Sequence, residues 1–146
     1  MPHCPSLAKE DRYGLFKMGV IRGFDLSSAS FKGLGYVQVG IPASTTFNTI
    51  RVSQDQRVSQ VIREVILPEA KALLPYADGK PVDGLAFHLS IPAYNFVTGG
   101  EAKFDDLLVY LTTEELKRFA TNDITSQKLI DNSVVLLNSD RVEAKL

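Results

Sequence analysis

The sequence predicts one α+β domain in which helices cover one face of an antiparallel or mixed sheet. Apolar residues alternate in several short segments, and in one long segment they recur at three- and four-residue spacing. Predicted strands come in pairs with helices between them, in the order β-β-α-β-β-α-α-β-β, which favours α+β over a parallel fold. With 146 residues, 45% of them hydrophobic, the chain can build one core. We assign it to residues 13–146, after a flexible tail at residues 1–12.

The first two strands are predicted from a period of two. Apolar residues alternate in residues 15–26, and the small, polar residues 27–33 that follow are expected to form a connection. Alternation resumes in residues 34–41, and Pro42, which has no backbone N–H to donate, ends this second strand. Because a parallel pair would need a longer crossover, we expect an antiparallel hairpin.

The clearest helix begins at Ser53. Ser53 and Gln56 have the spacing of a capping box, in which the hydroxyl accepts from the N3 amide and the Gln side chain reaches back. An apolar stripe at helical spacing follows and comprises Val58, Val61, Ile62, Val65, Ile66, Leu73 and Leu74. Because proline removes an intrahelical hydrogen bond, we expect Pro68 to kink this helix or to start a second one.

The third strand is predicted at residues 85–91. Its large apolar residues fall on one face, while His88 and Ser90 fall on the other, and Pro92 is expected to end it. The remaining predicted elements are a strand at residues 104–111, a helix capped by Thr112, a short helix from about Thr125, and short strands at residues 133–138 and 141–146 around a tight turn at Ser139-Asp140.

A short sequence similarity, which we call the internal echo, links the two halves of the chain. The segments that begin at Gly33 and at Gly84 align over about ten residues with one gap, and both end a strand with Ile-Pro-Ala. A degenerate duplication of a β-β-α unit would explain this echo.

Several chemistries are disfavoured by the residues present. Gly33-Leu34-Gly35 resembles the start of a dinucleotide fingerprint, but it leads into a strand where the fingerprint requires a helix. His3, His88 and Cys4 are too few and too scattered for a metal centre, so we expect neither metal nor cofactor. A single cysteine excludes an intrachain disulfide.

Charge and hydropathy reduce the classes of partner and the cellular locations that the sequence fits. The net charge is −1, and its 16 basic and 17 acidic residues are interspersed, which disfavours nucleic-acid binding. No apolar stretch approaches the roughly 20 residues of a membrane-spanning helix. Residues 1–13 also lack the apolar core of a signal peptide, so the sequence fits a cytoplasmic protein or an exported one whose signal has been removed.

His88 is the one catalytic candidate, because no other histidine lies in a predicted ordered element. Ser90 shares its face, but side chains two residues apart on a strand are separated by about 7 Å. A small hydrolase-like enzyme with His88 as its base is therefore our second hypothesis. It requires a concave pocket and a carboxylate or hydroxyl within about 3.2 Å of the ring.

Our leading hypothesis is a non-catalytic module that binds a partner protein or small ligand, or assembles as a homo-oligomer. Tyr94, Phe96 and Phe104 flank a glycine pair, and rigid aromatic side chains on loops suit such contacts. Phe47 occupies a comparable connection in the first half, and the two connections would border one cleft if the halves are related. A third hypothesis is a domain excised from a larger exported protein.

Overall fold

A computed structural model describes residues 24–42, 47–48, 52–79, 81–94, 97–99 and 103–146. It has the predicted α+β class and a mixed sheet. The strands are β1 (Asp25–Phe31), β2 (Leu34–Gly40), β3 (Phe47–Asn48), β4 (Gly84–Tyr94), β5 (Lys103–Thr112), β6 (Val134–Leu137) and β7 (Asp140–Arg141). The helices are α1 (Gln54–Val61), α2 (Leu67–Ala77), α3 (Thr113–Ala120) and α4 (Ser126–Asp131), and a π-helical turn (Ile62–Ile66) joins α1 to α2. The predicted tail at residues 1–12 lies outside the described residues.

The sheet has the strand order β1-β2-β4-β5-β6-β7, and the short β3 also pairs with β4. Strand β4 is parallel to β2 and to β3, and every other described pair is antiparallel. A parallel pair needs a long crossover, which α1 and α2 supply between β2 and β4. The strands aligned by the internal echo are therefore β2 and β4, two parallel neighbours.

The first hairpin differs from the prediction in where its first strand lies. Residues 27–31, predicted to be part of a connection, belong to β1, and most of the strand predicted at residues 15–26 lies outside the described residues. Serine-rich β1 lacks apolar alternation because, within the described sheet, it pairs with β2 alone and leaves its serines exposed. The turn is Lys32-Gly33, where both residues have the positive φ of a tight hairpin turn.

The helix at Ser53 begins as predicted. The Ser53 hydroxyl accepts from the Gln56 amide, and the Gln56 side chain accepts from the Ser53 amide, which completes the capping box. At Pro68 the chain continues through the π-helical turn into α2, and Pro68 occupies the first turn of that helix. The chain is already helical before Pro68, so the missing N–H falls within a continuous helix, and the π-helical turn directly before it interrupts the regular i→i−4 hydrogen bonds at that point.

Strand β4 passes through Pro92, where the prediction ended it. The Ile41 amide donates to the His88 carbonyl, so residues 88, 90 and 92 direct their backbone groups toward β2. The register pairs Gly40, the last residue of β2, with His88. Pro92 therefore faces no β2 residue that would need an amide donor, and its pairing with β5 does not require one.

At the end of the chain the turn is Asn138-Ser139, and both residues have positive φ. The strand predicted over residues 141–146 is wrong in extent, because pairing with β6 covers only Asp140–Arg141. The Val142 amide still donates to the Val135 carbonyl of β6, and residues 144–146 hydrogen-bond to side chains of α1 and α4, through Ser59 and Gln127.

The main core lies between the helices and one face of the sheet, which we call the inner face. The apolar residues predicted to face inward on β4 are buried there, namely Leu85, Phe87, Leu89 and Ile91. The opposite, outer face has no helix on it within the described residues. It has a smaller cluster in which Tyr110 stacks on Phe31 and meets Tyr36 edge-on. Burial raises the pKa of both tyrosines.

No helix in the described part of the chain is long and apolar enough to cross a membrane.

Candidate binding site on the β4–β5 hairpin

The hairpin of β4 and β5 extends past its neighbours in the sheet. Pairing with β2 ends at His88 and pairing with β6 ends at Leu107, whereas β4 and β5 remain paired as far as Ala93 and Lys103. Only the two-residue β3 accompanies this end of the hairpin among the described strands. The hairpin end therefore presents side chains on a regular, hydrogen-bonded backbone.

Apolar side chains gather on the outer face of the hairpin end. Phe104 lies directly opposite Pro92, and Tyr94 follows Pro92 on the same face. The Phe104 side chain is 64% exposed. We call Pro92, Tyr94 and Phe104 the distal patch.

The structure brings most of the aromatic residues singled out in the sequence to this end of the sheet. Tyr94 and Phe104 are in the distal patch, and the backbone of Phe47 in β3 pairs with Ala93. The side chain of Phe47 and all of Phe96 lie outside the described residues. Val97 is also exposed, in the turn that follows β4.

A polar group continues the outer face beside the distal patch. The Ser90 hydroxyl donates to Asp106 Oδ1 at 3.0 Å, and His88 Nε2 lies 3.3 Å from the same oxygen. We call His88, Ser90 and Asp106 the polar trio. The side chains of His88 and Asp106 are 40% and 62% exposed, so their attraction is weakened by water.

The polar trio does not have the arrangement of a base-activated nucleophile. In such a site the base accepts the proton of the nucleophile, and a third group orients the base. Here the Asp106 carboxylate lies between Ser90 and His88, and the Ser90 hydroxyl donates its hydrogen bond to Asp106 and not to the histidine.

Behind the outer face, a buried ion pair ties α1 to the hairpin. Asp105 precedes Asp106, so its side chain projects to the inner face, where its Oδ2 lies 2.8 Å from Arg57 Nη2. Gln54 and Asn138 donate to the other carboxylate oxygen, and Arg57 also donates to the Val52 carbonyl. Arg57 is only 7% exposed.

These contacts determine the ionisation of Asp105. Burial by itself raises the pKa of this carboxyl group. Hydrogen bonds from Arg57, Asn138 and Gln54, together with the charge of Arg57, outweigh burial and hold the pKa of Asp105 below its usual range. The carboxylate is therefore charged at neutral pH and links three segments of the chain.

The Asn138 side chain hydrogen-bonds to two consecutive residues of β5, Asp105 and Asp106. Its side-chain oxygen accepts from the Asp106 amide at 2.9 Å, while its side-chain nitrogen donates to Asp105. The Asn138 backbone has φ 51°, a conformation that asparagine tolerates better than most residues. Asn138 thus positions the backbone that carries the polar trio's carboxylate.

A groove of about 600 Å³ lies elsewhere, between α1 and residues 142–145. The described residues that line it include Asp55, Ser59, Arg63, Glu143 and Lys145. It contains neither the distal patch nor the polar trio. Local sequence patterns do not reveal this groove, because its walls meet only through the fold: Ser59 and Lys145, one from each wall, are 86 residues apart in the chain.

Comparison of the chain with protein-family models, with curated proteins and with solved structures found no match. Support for a function therefore comes from the surfaces described above.

Proposed function

We propose that this protein is a non-catalytic module that binds a partner protein through the distal patch and the polar trio. The observation that carries the proposal is the 64% exposure of Phe104 on a strand of the sheet. Isolated exposed apolar residues are common on protein surfaces. An exposed phenylalanine beside proline and tyrosine is more specific, because aromatic anchors dominate the energetics of many interfaces.

The arrangement has the two components of a specific interface. The distal patch supplies apolar area, and the polar trio beside it supplies a hydroxyl, an imidazole and a carboxylate for hydrogen bonds at its margin. Both groups lie on paired strands, and Asn138 and the Arg57–Asp105 pair hold the backbone beneath them. Such a surface loses little conformational entropy when it binds.

A second copy of the chain is the first partner to test, since twofold homodimers are the commonest soluble assemblies. We expect wild-type protein to self-associate at micromolar concentration in sedimentation velocity runs. Phe104→Ser should raise the dimer dissociation constant by about tenfold or more, as expected when an interface anchor is lost. Thermal unfolding should be little changed, because Phe104 is exposed.

Leu34→Ser is the matched control, because Leu34 is also an exposed large apolar residue. It is the first residue of β2, whereas the hairpin end extends beyond the last residue of that strand. Leu34→Ser should leave the dissociation constant unchanged. Equal weakening by both substitutions would contradict the role of the distal patch. A wild-type protein that is monomeric at several hundred micromolar would exclude self-association and require the partner to be a different protein.

A further inference from the structure

The groove between α1 and residues 142–145 has a defined direction. Near one end, Gln54 and Asn138 meet at the same Asp105 oxygen, which places the β6–β7 turn beside the start of α1. Further along, the Ser59 hydroxyl donates to the Lys145 carbonyl. The helix and the C-terminal segment therefore run in the same general direction along the two walls.

The alignment of the two walls places acidic and basic side chains at different positions along the groove. A helix rises about 1.5 Å per residue, so Asp55 lies about 6 Å before Ser59, and Arg63 lies a similar distance beyond it. The hydrogen bond between Ser59 and Lys145 places Lys145 level with Ser59, and Glu143, two residues earlier in the C-terminal segment, lies toward the Asp55 end. Asp55 and Glu143 thus make one end of the groove acidic, Arg63 makes the other end basic, and the backbone of Lys145 lies between the two ends.

Among the described residues, none of these four charges has an oppositely charged partner. Asp55, Arg63, Glu143 and Lys145 are all exposed. Between the charged ends the groove is lined by Val58 of α1, and Val52, Leu137 and Val142 are further apolar residues of the lining. A ligand with opposite charges at its two ends and an apolar middle would complement this surface.

The backbone of the C-terminal segment adds a preference for peptides. The Val142 amide donates to the Val135 carbonyl, so residue 142 directs its backbone groups toward β6. Backbone directions alternate along an extended chain, and the amide and carbonyl of Glu143 therefore point away from β6, toward α1. Such groups can pair with the main chain of an extended peptide, as in strand addition.

We infer that this groove binds a short zwitterionic peptide of about three residues. The ammonium group lies toward Asp55 and Glu143, and the carboxylate lies toward Arg63 and Lys145. Asp55 and Arg63 are about 12 Å apart along the helix axis. Three extended residues span about 10 Å, so a tripeptide reaches between the two charged ends. A volume of about 600 Å³ is within the usual range for ligand sites.

Isothermal titration of the full chain with trialanine tests the inference. Free trialanine should bind weakly but saturably. N-acetylated and C-amidated trialanine should each bind about three- to fivefold more weakly, which is the effect expected when one exposed ion pair is lost. The doubly capped peptide should be weakest.

Two charge substitutions assign the ends of the peptide. In Arg63→Gln, C-amidation should weaken binding less than in the wild type, because only Lys145 remains to attract the carboxylate, while N-acetylation should weaken it as before. In Asp55→Asn the pattern should be reversed. Lys103→Gln makes the same charge change as Arg63→Gln at the exposed first residue of β5, which does not line the groove, and should reproduce the wild-type pattern.

No saturable binding of free trialanine at tens of millimolar would overturn the inference. So would capped and free peptides that bind equally to the wild type, or Arg63→Gln and Asp55→Asn effects assigned to the opposite ends. The groove is separate from the distal patch, so Phe104→Ser should leave trialanine binding unchanged. Failure of one proposal can therefore be told apart from failure of the other.

Discussion

Gly84→Ala should lower the free energy of unfolding by about 4 kcal/mol or more, the range of severe steric disruptions. A Cβ at Gly84 would lie 2.1 Å from the carbonyl oxygen of Leu111 and 2.8 Å from the Cα of Thr112. Neither backbone atom can move aside freely, because Leu111 and Thr112 are paired with β4 and Thr112 is the N-cap of α3. Urea unfolding at neutral pH measures the loss.

Gly40→Ala is the control for this substitution. A Cβ at Gly40 would lie 3.5 Å from its nearest neighbour, an ordinary contact, so the effect should be within about 1 kcal/mol. Equal destabilisation by the two alanines would mean that β4 and β5 do not approach as closely at Gly84 as described.

Asp105→Asn should destabilise the protein by about 3 kcal/mol at pH 7, because it leaves the buried charge of Arg57 without its partner. Asp106→Asn is a close control, since it makes the same change at the next residue. The Asp106 side chain is 62% exposed, and its replacement should cost no more than about 0.5 kcal/mol. Chemical denaturation of both variants provides the comparison.

The Arg57–Asp105 ion pair also predicts that the free energy of unfolding depends on pH. The pKa of Asp105 is lowered by folding, so its contribution is present above the unfolded-state pKa of about 3.9 and is lost as pH falls through the folded-state pKa. The stability difference between wild type and Asp105→Asn should therefore shrink in acid. A difference that stayed constant into strong acid, or one that matched Asp106→Asn, would contradict the assigned role of Asp105.

Much of the fold could be predicted from local patterns because burial imposes them. The alternation around Phe87 and the capping box at Ser53 both reflect contacts within a few residues. The errors arose where distant pairing decides the structure. The serine-rich strand β1 forms through its backbone hydrogen bonds to β2, which do not depend on apolar side chains. Pro92 remains in β4 because the pairing of β4 with β2 ends before it, at His88.

The candidate site was only partly visible in the sequence. Tyr94 and Phe104 could be predicted as contact residues because they are aromatic residues beside a glycine-rich connection, which is a feature of the local sequence. The meeting of His88 with Asp106 depends on the β4–β5 register, which brings together residues 18 positions apart. The roles of Arg57 and Asn138 depend on contacts over still longer separations, which periodicity does not reveal.

The most direct test of the outer face as a binding surface is photo-crosslinking in cells that produce the protein. A benzophenone amino acid placed at Phe104 should give a discrete cross-linked product. The same probe at Lys103, the adjacent exposed residue whose side chain projects to the opposite face, should give little of it. Equal products from both positions, or a product from position 103 alone, would contradict the account.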